Sequence, residues 1–447
     1  MKSHIFLWVA LFLVGSTHAQ INFQEHPIET NNLGYMEDSY AADLDGDGDL
    51  DVLLAHEDNV SWFENMDGLG TFGTIQTITS DQDNTSSVFA VDLDGDDDMD
   101  VLACSFYDDK IVWYQNDGSG NFVVGQIIST GADAAEAIYA ADLDGDNDYD
   151  VLSASLSDNK IAWYENDGSG NFGTQQIITT NAGGAYQVYT ADIDNDGDQD
   201  VLSASFFDDK IAWYQNDGSG NFGTQNNIDS VDGVSDVFPA DVDGDGDIDI
   251  LAAAIDNSSI AWYENTDGTG TFGQAQIIQT VIGGAYSVYA ADMDGDSDMD
   301  VVYGTDTRIA WQKNLDGEGS FGEQQIIYAS TFGVAKALTC DINGDNKTDV
   351  LGFYPGDFSW FENLGLVSVR ENQSSEFSAY PNPASDKIFL NSENPVSKIQ
   401  IYNQLGELLF TMETTSMIDI SILNPAIYLL KVTDTRGNIF TVKIEKR

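Results

Sequence analysis

A nine-residue acidic segment recurs seven times along the chain at intervals of 49 to 51 residues, and this period constrains the fold more than any other feature. The copies start at 43, 92, 142, 192, 241, 292 and 341 and read DLDGDGDLD, DLDGDDDMD, DLDGDNDYD, DIDNDGDQD, DVDGDGDID, DMDGDSDMD and DINGDNKTD. Each precedes a short apolar stretch such as Val151-Leu152-Ser153-Ala154 and a polar turn, often Asp-Asn-Lys or Asp-Asp-Lys. A Trp-centred stretch such as Ile161-Ala162-Trp163-Tyr164 follows, then in all but the last copy a turn like Asp167-Gly168-Ser169-Gly170 and a final stretch like Asn171-Phe172-Gly173. The runs are short, rich in Val, Ile, Tyr, Phe and Trp, and punctuated by Gly, Asn and Asp, so they read as strands. Four short strands in a repeat near 50 residues make a propeller blade. The expected fold class is all-β, with a seven-bladed β-propeller over residues 20–365.

Both alternating faces of Ile161-Ala162-Trp163-Tyr164 are apolar, which suits a sheet packed between two others. Trp62, Trp113, Trp163, Trp213, Trp262, Trp311 and Trp360 hold one equivalent position and are expected to form inter-blade core, not a sugar-stacking platform. The seventh repeat ends after Trp360-Phe361-Glu362-Asn363 and lacks its fourth strand. Phe23-Gln24-Glu25-His26-Pro27-Ile28 has the spacing to supply it, which would cover the free edge of the last sheet. Cys104 and Cys340 fall in non-neighbouring repeats where sister repeats carry mostly small residues, so they are expected to be unpaired packing residues.

The acidic segments carry the chemistry. In the first, Asp43, Asp45, Asp47 and Asp51 place carboxylates at positions 1, 3, 5 and 9, and the backbone carbonyl of Asp49 can supply position 7. The next three repeat the set with Asp92, Asp94, Asp96, Asp98 and Asp100, with Asp142, Asp144, Asp146, Asp148 and Asp150, and with Asp192, Asp194, Asp196, Asp198 and Asp200. The fifth and sixth use Asp241, Asp243, Asp245, Asp247 and Asp249, then Asp292, Asp294, Asp296, Asp298 and Asp300. The seventh has Asp341, Asn343, Asp345, Lys347 and Asp349, so it is expected to be the weakest site. Hard oxygens at this density form a cage for calcium, about one ion per blade. Carboxylates about 4 Å apart repel by roughly 4 kcal/mol per pair at an effective dielectric near 20. A solvated acidic face leaves seven such clusters without neutralisation. An EF-hand is excluded because position 12 is Leu54, Ala103 or Ser153 instead of Glu and strands flank the loop. Zinc or iron would want His or Cys, which the loops lack, and magnesium suits such flexible cages less well.

The D-x-D-G-D-x-D-x-D loop, the strand after it and the N-D-G-S-G-N-F turn resemble FG-GAP/VCBS-type repeats, related to the propeller of integrin α-subunits, over roughly residues 21–365. That resemblance implies calcium on one face, partners on the opposite face, and a last blade closed by the N-terminal strand. Integrin propellers carry the loop in only some blades whereas all seven have it here, so partner specificity does not transfer. After a linker at 366–375, residues 376–447 differ in composition. Tyr380-Pro381-Asn382-Pro383, the strand-like Lys398-Ile399-Gln400-Ile401-Tyr402, a turn at Leu405-Gly406-Glu407, Pro425-Ala426-Ile427-Tyr428 and the basic end from Lys443 to Arg447 resemble the C-terminal sorting domain of the type IX secretion system. The resemblance implies a small Ig-like β-sandwich that engages the secretion machinery, although Ala426 stands where that family usually has Gly. An ordinary adhesive sandwich is the alternative.

Residues 1–19 have the order of a signal peptide: Lys2, an apolar run from Ile5 to Val14, then Thr17-His18-Ala19. The run is too short for a transmembrane anchor. Residues 21–365 hold 67 acidic and 7 basic side chains. Such a surface repels nucleic acid, whose binding rests on Lys and Arg neutralising phosphates. Strand alternation puts the acidic loops on one face and the Asp-Lys turns and Gly-Gly-Ala-Tyr connections, with Tyr186 and Tyr286, on the other. That second face is the expected surface for an extracellular protein or glycan. A polysaccharide lyase or hydrolase on the same scaffold is the alternative, but His26 and His56 lie in different repeat positions and no acid/base pair stands out from the loop carboxylates. The expectation is a secreted or surface binding module without catalysis.

Overall fold

The second strand of every repeat is buried along its whole length, from Asp51–His56 to Asp349–Tyr354. A strand apolar on both faces must lie inside a stack of sheets, and the computed structural model has that arrangement. It describes residues 20–30, 33–329, 336–354, 357–367 and 377–447, apart from short stretches at 381–382, 393, 403–407, 414–416, 425 and 437–438. The expected signal peptide, most of the linker and the turn at 405–407 lie outside the described residues. The chain divides into two compact units, Ile21–Gly365 and one that includes Leu366–Arg447. Among the described residues all regular elements are strands.

In the first unit the described residues form seven four-stranded sheets, resembling propeller blades. One consists of Met36–Ala42, Asp51–His56, Asn59–Phe63 and Gln76–Thr79, and five others repeat this sequential meander. Register repeats too: Leu53 faces Trp62, Leu152 faces Trp163 and Val302 faces Trp311. The first strands of successive sheets pack side by side, and Lys336–Cys340 of the last packs on Met36–Ala42 of the first, which closes the ring. Tyr40, Phe89, Tyr139, Tyr189, Phe238 and Tyr289 stand at one position of these strands and form a collar, with successive ring centroids 4.6 to 5.6 Å apart. With Leu338 they line an axial cavity of about 230 Å³.

The tryptophans are inter-blade core, as expected, and none is more than 6% exposed. Trp62 of one blade lies under the hairpin turn of the next, where Gly120 has φ +70° and an added Cβ would come within 2.5 Å of the indole. Close approach and positive φ both demand glycine there. Both cysteines are free. The last sheet takes Gln20–Thr30 beside Asp357–Val367, so the N-terminal strand closes it as its spacing predicts. Side-chain contacts also fasten this strand. His26 stacks on Trp360 at 4.5 Å, its Nε2 lies 2.9 Å from Glu362, and Glu25 accepts hydrogen bonds from Tyr354 and Ser359 at 2.9 and 3.2 Å.

The second unit is a two-sheet sandwich. Phe377–Tyr380, Lys387–Ser392 and Met417–Asp419 form one sheet, and Leu408–Glu413, Val396–Tyr402, Ala426–Asp434 and Ile439–Lys446 form the other. Ile388 and Ile418 from the first meet Ile399, Leu430 and Ile444 from the second in one core. The expected strand at 398–402 lies within Val396–Tyr402.

The clasp is testable by removing its ring. His26→Ala deletes the stack on Trp360, worth about 1 kcal/mol, and should lower the melting temperature of the first unit; an unchanged temperature would mean that strand pairing alone holds the N-terminus.

Candidate functional site

Each acidic segment is the connection between the first and second strands of a sheet, and position 9 opens the second strand, as where Asp51 pairs with Ala42. A chain that wraps inward must turn left-handed twice. Positions 4 and 6 have positive φ in all seven loops, from Gly46 (77°) and Gly48 (97°) to Gly344 (68°) and Asn346 (62°). Asn195, which stands where the other loops have Gly, adopts φ 59° and donates from Nδ2 to Asp247 at 2.8 Å and to the carbonyl of Gly268 at 3.1 Å in the next blade.

Position 9 is the buried base of the loop. Asp51 accepts the backbone N–H of Leu44 on Oδ2 at 2.9 Å and that of Asn65 on Oδ1 at 2.8 Å. The same pair of bonds recurs at Asp100, Asp150, Asp200, Asp249, Asp300 and Asp349. The asparagine then reaches the preceding blade. Nδ2 of Asn65, Asn116, Asn166, Asn216, Asn265, Asn314 and Asn363 donates to the carbonyls of Ile342, Leu44, Leu93, Leu143, Ile193, Val242 and Met293 at 2.7 to 3.0 Å. Sequence reasoning missed this role, although an Asn three residues after the tryptophan in every repeat was a legible signal.

Above this base, position 1 holds the turn. Asp43 accepts the N–H groups of Gly46 and Gly48 at 2.8 and 2.9 Å. The remaining oxygens converge. Asp92, Asp94 and Asp96, then Asp142, Asp144 and Asp146, then Asp241, Asp243 and Asp245 bring carboxylate oxygens within 4.8 Å of one another, whereas the first and fourth loops gather positions 1, 3 and 9 as Asp43, Asp45 and Asp51 and as Asp192, Asp194 and Asp200. The buried Oδ1 atoms of Asp94, Asp144, Asp194 and Asp294 accept no hydrogen bond from the described residues. A buried oxygen without a donor is costly, and an all-carboxylate donor set with such oxygens fits a hard cation such as calcium. Position 7 contributes no carboxylate to these groups: Asp49 lies over Gly68 and Asp98 over Gly118 in the turns of their own blades.

Two loops carry an ammonium. Lys313 Nζ donates to Asp294 and, at 2.5 Å, to Asp296 of the sixth loop. Burial opposes its charge, but the hydrogen bonds and attraction of Asp294 and Asp296 prevail and raise its pKa. Lys347 reaches only Asp345 within the seventh loop. Its presence was expected; that of Lys313 was missed, and the signal was a Lys where sister repeats have Glu or Gln.

Burial raises the position-9 carboxyls against their backbone hydrogen bonds, to about 7 for Asp51, Asp100, Asp150, Asp200, Asp300 and Asp349 and about 6 for Asp249. On the face opposite the loops, Tyr186 and Tyr286 come together with Tyr35, Glu37 and Lys336 at the mouth of the axis. Glu136 adjoins them, raised to about 7 by burial while Lys336 opposes the shift.

The model of the FG-GAP-like repeat matches residues 43–103, 98–153, 142–203, 195–252, 241–303 and 292–352. A secretion system C-terminal sorting domain matches residues 378–445. No curated protein sequence matches the chain. Among solved structures, an Agrocybe aegerita lectin that recognises non-reducing terminal N-acetylglucosamine is similar, with TM-score 0.50, 20% identity, and 67% of this chain and 80% of that one covered. BBS1N, in complex with ARL6DN, is similar at TM-score 0.54 and 10% identity, with 77% of this chain and 97% of that one covered. These likenesses are of fold. The sorting domain directs the protein through the type IX secretion system to the cell surface or beyond, and no helix among the described residues is long and apolar enough to cross a membrane.

Asn116→Ala leaves the carbonyls of Leu44 and Met99 without their donor and should cost about 1–3 kcal/mol, measured by chemical denaturation; a neutral result would demote the cross-blade bonds. A second expectation concerns pH. The position-9 carboxyls have folded pKa values above their unfolded values, so the stability they contribute is full below about pH 4 and is lost as pH rises toward about 7. Protein stripped of divalent ions should therefore melt at a higher temperature at pH 5.5 than at pH 7.5; the reverse order would show these groups ionised throughout.

Proposed function

We propose that this chain, which belongs to the FG-GAP-like repeat family, is a calcium-stabilised recognition module that binds an extracellular protein or glycan and performs no catalysis. The observation that carries the calcium reading is the set of converging loop carboxylates, several with buried oxygens that no donor among the described residues reaches. The loop carboxylates would bind the ion, and the ion would relieve their mutual repulsion and hold the loop on its buried base. Loops on one face leave the other for the partner. At that face Tyr186, Tyr286 and Tyr35 offer flat apolar rings with polar ends beside Glu37, Glu136 and Lys336, a combination suited to sugar rings or to a polar peptide surface. The lectin neighbour makes a glycan one of the two partner classes to test first.

Absence of catalysis is the reading favoured by the roles of the titratable groups. The loop carboxylates serve the cation, and both histidines of residues 20–365 have structural partners. His56 is buried against the carbonyl of Leu33 and the hydroxyl of Ser61 at 3.2 and 3.0 Å, and His26 belongs to the clasp.

Two measurements test the proposal. With dissociation constants of roughly 10⁻⁴ to 10⁻³ M, 1 mM calcium adds about 0.4 to 1.4 kcal/mol for each occupied loop. The melting temperature should therefore fall on chelation, and an unchanged value would overturn the calcium reading. A glycan array, a surface-protein capture screen and a polysaccharide-degradation panel run on the calcium-loaded protein should give binding without turnover. Degradation of any polysaccharide would replace the binding module with an enzyme.

A further inference from the structure

One residue distinguishes the loops from one another. Two places after the tryptophan, the blades carry Glu64, Gln115, Glu165, Gln215, Glu264, Lys313 and Glu362 in order. In the second, fourth and sixth blades the side chain at this place bonds position 3 of its own loop. Gln115 Nε2 donates to Asp94 Oδ2 at 2.5 Å, and Gln215 does the same to Asp194. Glu64, Glu165 and Glu264 add repulsion to Asp45, Asp144 and Asp243. Lys313 alone brings a positive charge. Its Nζ donates to Asp294 Oδ2 and Asp296 Oδ2, the position-3 and position-5 carboxylates, where the Asp294 side chain is 2% exposed.

We propose that Lys313 stands in for the calcium ion of the sixth loop, so that this loop keeps its folded form without calcium while the first five depend on it. The inference rests on the calcium reading above. The ammonium sits on the oxygens the ion would need, because positions 3 and 5 supply two of the three outer carboxylates of the loop. A calcium ion entering there must displace the charge or share the cage with it, and both raise the dissociation constant. Tethering favours the ammonium further. A group fixed by its own strand end competes at an effective concentration of millimolar or more, whereas extracellular calcium modules have dissociation constants of only roughly 10⁻⁴ to 10⁻³ M.

The seventh loop shows the contrast. Lys347 comes from position 7 of the loop itself, meets one carboxylate and has a side chain 42% exposed, so it can swing into solvent; the Lys313 side chain is 23% exposed and enters from beneath the loop. Glu362, the counterpart of Lys313, faces His26 of the clasp instead of supplying a cation to the loop. The sixth blade is thus a calcium-independent sector of the ring next to the blade that the N-terminal strand closes.

Hydrogen exchange of the full chain at pH 7.5, with 1 mM calcium and after chelation, resolves each loop. Peptides covering 43–51, 92–100, 142–150, 192–200 and 241–249 should lose protection several-fold on chelation, while 292–300 should not change. Lys313→Gln, which installs the residue of the second and fourth blades, should bind one more calcium ion by equilibrium dialysis and make 292–300 respond to chelation. If 292–300 of the unaltered protein loses protection as strongly as the first five loops, or if Lys313→Gln leaves the calcium count unchanged, the inference is overturned while the calcium reading stands. If none of the loops responds, the calcium reading fails and takes this inference with it. Should Lys313→Gln fail to fold, the comparison of loops within the unaltered chain decides alone.

Discussion

The buried carboxylate at position 9, with the asparagine that follows the tryptophan, ties together three things that a propeller of this kind must solve at once. The carboxylate accepts a backbone N–H from its own loop and another from Asn65, just past its own third strand. The asparagine amide returns to the loop carbonyl of Leu50 at 3.2 Å and crosses to Ile342 of the neighbouring blade at 3.0 Å. Buried polar groups need partners, and here the position-9 carboxylate oxygens and the asparagine Nδ2 find theirs by fixing the loop, the blade and the ring together. Loop geometry and ring closure are therefore one network. The Asn65 bond to Ile342 links the first blade to the last, so the ring closes through hydrogen bonds among buried groups as well as through the N-terminal strand.

That network also divides labour within the loop. Position 9 accepts backbone N–H groups on both oxygens, position 1 holds the turn, and position 7 lies over the hairpin turn of its own blade. Carboxylates at positions 1 and 3, with position 5 or 9 as the third, are left close together, an arrangement that is repulsive without a counter-charge. The net charge of −60 follows from repeating that arrangement around the ring. The type IX sorting domain provides export, which would expose the loops to extracellular cations. The proposed recognition would use the other face, where Tyr35, Tyr186 and Tyr286 gather.

Much of this was legible in the sequence because it repeats. The period, the strand runs and the single position of seven tryptophans specified stacked four-stranded sheets, and the missing fourth strand after Asn363 pointed to Phe23–Ile28 as its replacement. Left-handed turns at positions 4 and 6 followed from Gly, Asn, Asp and Ser there. What the sequence concealed were contacts between residues far apart in the chain. Asn65 and Ile342 are separated by 277 residues, and no spacing rule says that an amide will reach the previous blade. The aspartates at positions 1, 3, 5 and 9 of a loop look equivalent as carboxylate ligands in one dimension; only the fold shows that position 9 is a buried base and that the position-7 side chain faces a hairpin. Lys313 was visible as a departure from Glu and Gln, but its meaning required knowing that this side chain points into the loop.

Calcium in the loops is the claim from which the rest of the functional account follows, and anomalous diffraction from crystals grown with calcium tests it most directly. Calcium-filled loops would give peaks in the first five loops, about 2.3 to 2.6 Å from the carboxylate oxygens of positions 1 and 3, and none between Asp294 and Lys313. A map without peaks at the loops, with their aspartates hydrogen-bonded only to water, would contradict it.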